Sequence, residues 1–278
     1  MVLESVNEYE QILVPRQEMP LCDRRVMFTT PRNYAADLGR LLLQRGARTI
    51  WLPTIEIWPM DDTREIDDAI RNLDGFNWVA FTSENGVKAF CERFQSLGFI
   101  RSSVAGTKFA SFKADMQILE EYGLSADLVP GPFGPTGIVD ELKRLGVTGG
   151  TILVPCPEVV GVPEPYVVPQ FIENLKRIGM KVTRLDAYRT IAVKNSGSLE
   201  KEMLFNNQID CLVFTSSAEI LSFLEQLGER RDVLNHVPLA YMGSYTAKTG
   251  HELGLRLDIV PENFTMRGLV GAVEKYFR

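Results

Sequence analysis

The sequence predicts an α/β fold made of two similar lobes, each built around a parallel sheet, and three observations support this. Short apolar runs alternate along the whole chain with longer amphipathic stretches. One strand–turn–helix pattern occurs twice. The length of 278 residues suits one large domain or two ordinary ones.

The alternation of apolar and amphipathic segments is the first of these observations. We expect strands at 25–29, 49–57, 78–82, 151–155, 181–193, 211–215, 239–242 and 257–260. Between them, segments such as 33–45 and 83–97 carry apolar residues at helical spacing and end at Gly46 and Gly98. Continuous apolar strands separated by helices are typical of parallel sheets covered on both faces.

An internal repeat is the most informative feature. Residues 78–98 read WVAFTSENGVKAFCERFQSLG, and residues 211–228 read CLVFTSSAEILSFLEQLG. Further on, ADLVP at 126–130 and LDIVP at 257–261 each precede a polar loop and a helix, predicted at 137–142 and 268–273. The spacing from the Phe-Thr-Ser turn to the aspartate is 46 positions in one copy and 44 in the other. Two copies of one module explain this pattern; the alternative is a general likeness among short α/β units.

Candidate boundaries lie at 58–62 and within 181–194, where an unusually long β-type run suits a connection between lobes. The proline-rich stretches 130–135 and 155–169 are expected to be surface loops.

Bulk composition excludes several classes of function. The net charge of −6 argues against duplex nucleic acid as a partner. No apolar run approaches the roughly 20 residues of a membrane span. The segment 1–23 is polar and acidic, unlike a secretory signal or a transit peptide, although removal of a targeting segment stays open. We therefore expect a cytoplasmic protein, or one of the plastid stroma if a transit peptide has been removed.

Cysteine and histidine patterns predict no metal site. The four cysteines are scattered, and neither histidine has neighbours at metal-ligand spacing. We interpret the cysteines as small buried residues in a reducing compartment.

Ser and Thr side chains recur where strands give way to helices. Helix N-termini at the carboxyl ends of parallel strands can bind carboxylates or phosphates without lysine. The candidates for such binding are Thr30, Thr82, Ser83, Thr215, Ser216, Gly243, Ser244 and Thr246. The alternative is that these residues only cap helices. No P-loop, dinucleotide fingerprint or G-x-S-x-G motif is present.

In this order, the motifs resemble those of the uroporphyrinogen-III synthase family from about residue 25 to 277. The resemblance rests on TTPRNYAADLGRLLLQRG at 29–46, FTSENGV at 81–87, DAYRT at 186–190, FTSS at 214–217, MGSYTAKTGHELGL at 242–255 and the closing 260–276.

The resemblance implies two flavodoxin-like lobes joined by a two-stranded connector formed by 49–57 and 181–193. One lobe would comprise 1–55 and 191–278, and the other 58–184. It further implies cyclisation of the linear tetrapyrrole hydroxymethylbilane to uroporphyrinogen III, with inversion of ring D and no cofactor. A monomer is the simplest expected state.

The same resemblance assigns roles to individual residues. Tyr188 would assist departure of the substrate hydroxyl, although a strand tyrosine more often serves packing. The Ser/Thr turns named above, together with Asn85, would line a cleft between the lobes.

Two departures from the family pattern keep other functions open. The segment 155–169 is proline-rich without a basic residue, and 109–123 lacks a Gly-x-x-Thr-Ala turn. A non-catalytic binding or scaffold subunit with a protein partner is therefore the second hypothesis. An unrelated two-lobed ligand-binding protein is the third.

Overall fold

The structure, a computed structural model, describes residues 17–131 and 134–278. Residues 1–16, which include most of the segment predicted to be polar and acidic, lie outside the described residues, as do positions 132 and 133 of the predicted 130–135 loop. The chain divides into two compact units. Unit 1 contains the described residues up to Ile57, with Val160–Pro163 and Ile191–Arg278. Unit 2 contains Trp58–Val159 and Glu164–Thr190.

Strands and helices alternate along the described chain. The strands are β1 Arg25–Phe28, β2 Arg48–Trp51, β3 Ile55–Pro59, β4 Trp78–Ala80, β5 Lys108–Ala110, β6 Thr151–Val160, β7 Lys181–Ala192, β8 Cys211–Phe214 and β9 Leu239–Tyr241. The α-helices are α1 Arg32–Leu43, α2 Arg64–Arg71, α3 Glu84–Ser96, α4 Met116–Glu121, α5 Gly134–Arg144, α6 Val167–Arg177, α7 Ser198–Phe205, α8 Ser217–Leu227, α9 Ser244–Glu252 and α10 Met266–Phe277.

Unit 1 contains a four-stranded sheet in the order β2-β1-β8-β9, and all three neighbouring pairs are parallel. Ile259 extends this order by one parallel bridge to Ala240. Successive strand residues enter different cores: Met27 packs with Leu212 and Phe214 in one cluster, whereas Val26 and Phe28 pack in another. The sheet is therefore covered on both faces, which explains why its strands are continuously apolar.

The second sheet has the strand order β3-β7-β6-β4-β5, and its strands β4 and β5 lie wholly in unit 2. Strand β4 pairs in parallel with both β5 and β6. Leu128 extends the order by a parallel bridge to Ala110. The prediction of a mixed α/β fold with parallel sheets is confirmed.

The two units share one spatial order of strands. In unit 1 it runs β2, β1, β8, β9, Ile259, and in unit 2 it runs β7, β6, β4, β5, Leu128. The order of the strands along the sequence differs between the units. In unit 1 β1 is the first strand, whereas its counterpart in unit 2, β6, comes after β4 and β5. The internal repeat seen in the sequence thus has a counterpart in sheet topology.

Side-chain contacts repeat as well. The Asp127 carboxylate accepts the backbone N–H of Phe109 at 2.8 Å, and the Asp258 carboxylate accepts that of Leu239 at 2.9 Å. The aromatic pairs are also alike: ring centroids of Phe81 and Phe90 lie 5.5 Å apart edge to face, and those of Phe214 and Phe223 lie 5.6 Å apart in the same manner.

A third repeated contact joins the beginnings of the two central strand pairs. The Asp210 carboxylate accepts the Arg25 N–H at 2.8 Å, while the Asn77 side-chain oxygen accepts the Thr151 N–H at 2.8 Å. Such detailed agreement favours two copies of one module over a general likeness.

Two predictions about strands were wrong. The run 49–57 forms two strands, β2 and β3, separated at Leu52–Thr54, because Pro53 has no N–H to continue the ladder of β2. The run 257–260 contributes only the bridge at Ile259. Its Asp258 side chain binds the backbone of the neighbouring strand, and Pro261 follows.

The segment 155–169 was also predicted wrongly as a surface loop. Strand β6 continues through Pro155 and Pro157 to Val160, and α6 begins at Val167. The pairing of β6 with β4 involves Ile152 and Leu153. Prolines beyond that paired segment remove no hydrogen bond to β4, so the strand tolerates them.

Two helical glycines give a matched test of the packing. A Cβ atom on Gly250 would lie 2.6 Å from a ring carbon of the fully buried Tyr241, whereas one on Gly271 would meet nothing within 4 Å. We expect Gly250→Ala to lower the free energy of unfolding by about 1–3 kcal/mol through overpacking. Gly271→Ala should raise it by up to about 1 kcal/mol through helix propensity. Urea unfolding measures both, and equal effects would contradict the described packing.

Candidate functional site

The Phe-Thr-Ser turn of unit 2 follows β4 and begins α3. Ser83 has an extended backbone, and its hydroxyl accepts the Gly86 N–H at 3.2 Å, which makes it the N-cap of α3. Thr82 and Ser83 are half-buried, as is Asn85 in the first turn of the helix. The turn therefore presents the beginning of a helix at a partly accessible surface.

Tyr188 on β7 contacts this turn directly. Its phenol oxygen lies 2.9 Å from Ser83 Oγ, and either atom can be the donor. The side chain is only 6% exposed. Burial raises the pKa of Tyr188 well above its usual range, although the hydrogen bond from Ser83 opposes this. At neutral pH the group is therefore a neutral phenol that can donate or accept a hydrogen bond.

Gly86 lets β6 approach the start of α3 closely. A Cβ atom at this position would lie 3.0 Å from the carbonyl oxygen of Pro155. Gly86 is the third residue after the cap serine, and its counterpart in unit 1 is Glu219, the third residue after Ser216. The two copies of the turn differ most at this position.

In unit 1 the corresponding turn surrounds a carboxylate of the chain itself. Thr215 donates to Glu219 through its N–H at 2.9 Å and its hydroxyl at 2.5 Å. The hydroxyls of Ser216, at 3.1 Å, and Thr29, at 2.7 Å, also point to this carboxylate. Glu219 is fully buried, and burial raises its pKa while these hydrogen bonds lower it.

The two turns therefore differ in whether their Ser and Thr side chains are already bound to a carboxyl group of the chain. The predicted donors Thr215 and Ser216 already bind Glu219, whereas glycine stands at the matching position beside Thr82 and Ser83. Glu219 was missed by the analysis of the sequence, although Ser-x-x-Glu is the spacing of a capping box and signals a carboxylate at a helix start.

The remaining predicted residues lie in unit 1 at the ends of β1 and β9. Thr30 is fully buried; its carbonyl accepts the Trp51 indole N–H at 2.8 Å, and its hydroxyl has no partner among the described residues. Gly243 precedes α9 in an extended conformation, and a Cβ atom there would lie 3.1 Å from the Phe264 ring. Ser244 is exposed, and Thr246 is buried in the first turn of α9.

Other reactive groups have environments that keep them unreactive. Burial raises the pKa of the Cys91 and Cys156 thiols to about 12, so neither is a thiolate at neutral pH. Within residues 17–131 and 134–278, no group of three or more His, Cys, Asp or Glu side chains could hold a metal ion. No helix in these ranges is long and apolar enough to cross a membrane.

Comparison with known proteins gives a consistent result. A family model described as uroporphyrinogen-III synthase HemD matches residues 36–271. A uroporphyrinogen-III synthase of Synechococcus elongatus is 25% identical over 266 residues, covering 94% of this chain and 98% of that protein. One from Chlorobaculum parvum is 27% identical over 244 residues, covering 87% and 94%. In structure, a mutant uroporphyrinogen III synthase from Thermus thermophilus has the same fold, with a TM-score of 0.66, 19% identity and coverage of 91% and 98%.

The buried carboxylate offers a test of the unit 1 turn. In Glu219→Gln, an amide N–H₂ group takes the place of one carboxylate oxygen. In the wild type the carboxylate oxygens accept hydrogen bonds from several donors. We expect the free energy of unfolding to fall by about 1–3 kcal/mol, because the change leaves buried donors of the turn without an acceptor. Glu225→Gln, at an exposed position of the same helix, should change it by less than about 0.5 kcal/mol. Denaturant unfolding compares the two, and indistinguishable midpoints would show that the carboxylate contributes no special stability.

Proposed function

This chain belongs to the uroporphyrinogen-III synthase family, a family of cyclising lyases of tetrapyrrole biosynthesis, and we propose that the Ser83–Tyr188 pair forms the centre of its reaction. The observation that carries the proposal is this hydrogen bond. It joins two residues that the sequence suggested independently, 105 positions apart, at a partly accessible helix start.

The reaction itself is a dehydration followed by ring closure. Hydroxymethylbilane loses its hydroxyl group, and the resulting azafulvene is attacked by the substituted carbon of the terminal ring. The spiro intermediate then fragments and recloses with that ring inverted, so that the net change is loss of one water. Because the substrate is already reactive, the protein mainly has to hold it in a productive geometry.

A directed chain of hydrogen bonds suits Tyr188 to the leaving group. The Gly86 N–H donates to Ser83 Oγ, which leaves the Ser83 proton free to donate to the phenol oxygen. Tyr188 can then direct its own proton toward the departing hydroxyl. Each donor polarises the next, which strengthens the final hydrogen bond.

The substrate's carboxylates require donors at several points. We propose that Thr82 and Asn85 supply them in unit 2. In unit 1, Thr30, Gly243, Ser244 and Thr246 at the ends of β1 and β9 are the corresponding candidates. Support comes from the Thr30 hydroxyl, which has no partner among the described residues, and from the N-terminus of α9, whose N-cap Gly243 has no side chain with which to cap the helix. Thr215 and Ser216 are weaker candidates because both bind Glu219.

The family also suggests how the chain is organised into lobes. We propose that the two units are flavodoxin-like lobes with limits near 1–55 plus 191–278 and 58–184, joined by a connector that contains β3 and β7. The strand order β2-β1-β8-β9 supports this, because it is the beginning of the flavodoxin order, in which ligands bind where the order reverses. A reducing compartment, the cytoplasm or the plastid stroma, is proposed because all four cysteines are unpaired.

One observation bears on the alternative of a non-catalytic scaffold subunit. Glu219 fills the unit 1 turn, as expected for a protein that has given up one of its binding points. In the Ser83 turn the matching position is Gly86, and the bond of Ser83 to Tyr188 favours the enzyme.

Tyr188→Phe tests the proposed centre. Without the phenol hydroxyl, we expect formation of uroporphyrinogen III to slow about 100-fold, as for loss of one positioned donor. The free energy of unfolding should fall by only about 1 kcal/mol for the lost hydrogen bond. The assay supplies freshly made hydroxymethylbilane and separates the type I and type III isomers after oxidation.

Tyr241→Phe is the matched control. This buried tyrosine also loses one hydrogen bond, to the carbonyl of Arg256 at 2.7 Å. We expect a similar loss of stability and an unchanged rate of type III formation. If both variants slow in proportion to their loss of stability, Tyr188 serves only packing.

A further inference from the structure

Asp115 is a buried carboxyl group to which the neighbouring structure gives no capping role. It ends the 3₁₀ turn Lys113–Asp115 after β5 and is 6% exposed. Its side chain does not cap the following helix α4. Burying a carboxyl group costs stability, so the presence of Asp115 at this position needs an explanation.

A buried hydroxyl group without a partner lies nearby in the sequence. The hydroxyl of Ser111 directly after β5 is fully buried and has no partner in the described ranges. A buried carboxyl group and a buried hydroxyl without a partner thus lie on one short segment, an arrangement that suits a polar ligand.

This segment and the Ser83 turn leave the same edge of the unit 2 sheet. Strands β4 and β5 are parallel neighbours, so the residues that follow each strand emerge on the same side. The 3₁₀ turn that contains Asp115 packs against α3, the helix that Ser83 caps. Asp115 is also close enough to Tyr188 for its charge to disfavour ionisation of the phenol.

The charged surroundings of Asp115 are defined by α3 and β7. Glu84 and Lys88 on α3 form an ion pair with each other and act on Asp115 in opposite directions. Tyr188 on β7 is neutral at physiological pH. Burial is the main influence, and it raises the pKa of Asp115 to about 7, with Glu84 adding to the effect and Lys88 opposing it.

The reaction needs a proton that Tyr188 cannot readily release. Hydroxide is a poor leaving group, so the oxygen must be protonated as the carbon–oxygen bond breaks. The phenol has a pKa far above neutrality, which suits a hydrogen-bond donor but not a net proton source. A carboxylic acid that titrates near neutrality fits this role.

We propose that Asp115 is the proton donor for the departing hydroxyl group, acting beside the Ser83–Tyr188 pair. This inference rests on the proposed function. As the bond between the hydroxymethyl carbon and oxygen breaks, the bonding electrons stay with oxygen, which takes the Asp115 proton and leaves as water. Ring closure later releases a proton from the attacked pyrrole carbon, and that proton restores the carboxylic acid.

The pH dependence of the rate tests this assignment. In the wild type, single-turnover formation of type III should be constant below about pH 7 and fall tenfold per pH unit above it, because only the protonated carboxyl is active. Asp115→Asn should lower the rate by about 100-fold or more and abolish the fall in rate above pH 7, which we call the pH limb. Asp115→Glu should restore part of the rate together with the limb. Asp140→Asn, at an exposed position of α5 in the same unit, should match the wild type.

Stability against pH gives a readout that does not depend on activity. The pKa of Asp115 in the folded chain lies above its unfolded value of about 3.9. Its contribution to stability is therefore complete below pH 4 and is lost as the pH rises through about 7. The melting temperature of the wild type should fall relative to that of Asp115→Asn between pH 4 and pH 8.

The outcomes separate the two proposals. Wild-type protein that forms only the type I isomer would reject the proposed function, and this inference with it. An active wild type with an Asp115→Asn variant that keeps the same rate and pH limb would reject Asp115 alone. A melting-temperature difference that does not change with pH would show that Asp115 is ionised throughout, and would also overturn the assignment.

Discussion

Parallel pairing under two covered faces is the constraint on which the rest of this structure depends. A strand buried on both sides has to be apolar throughout, so polar chemistry can begin only where the strand ends. Each helix that follows brings unpaired N–H groups to that same edge. The Ser83 and Ser216 caps, the Thr30 hydroxyl and the start of α9 all lie at such ends. The protein therefore has its chemically available groups where the sheet geometry leaves room for them.

Duplication supplied two such edges, and the two copies have diverged at one position. Glu219 draws four donors of unit 1 onto a carboxylate of the chain, which links the ends of β1 and β8 to α8. In unit 2 the matching residue is Gly86, and the hydroxyl of Ser83 remains available to Tyr188. One copy of the turn thus binds a carboxyl group of the chain itself, while the cap hydroxyl of the other bonds to a tyrosine on a neighbouring strand. Occupancy explains the difference, since the Glu219 carboxyl group already takes up the donors of its turn.

Much of this could be read from the sequence, because it depends on local patterns. The strands, the serine caps and the repeated Phe-Thr-Ser turns are set by residues close together in the chain. The pairing of Ser83 with Tyr188 could not be foreseen, since it joins residues 105 positions apart. The 155–169 segment was misjudged because the cost of a proline depends on which neighbour its missing N–H would have faced. The burial of Asp115 was equally invisible, because packing around a short turn determines it.

The two units differ in the order in which their corresponding strands follow along the sequence, and this has a consequence for folding during synthesis. In unit 2 the contact that joins the two central strands, between Asn77 and Thr151, spans 74 positions. The same contact in unit 1, between Arg25 and Asp210, spans 185, and all of unit 2 lies between them. At the usual pace of translation, β1 and β2 wait on the order of ten seconds for β8 to leave the ribosome. All strands of unit 2 are made before β8, so unit 2 can fold first. Until β8 appears, β1 can pair only with β2 and lacks its second neighbour, so this apolar strand is the part of the nascent chain most in need of chaperones.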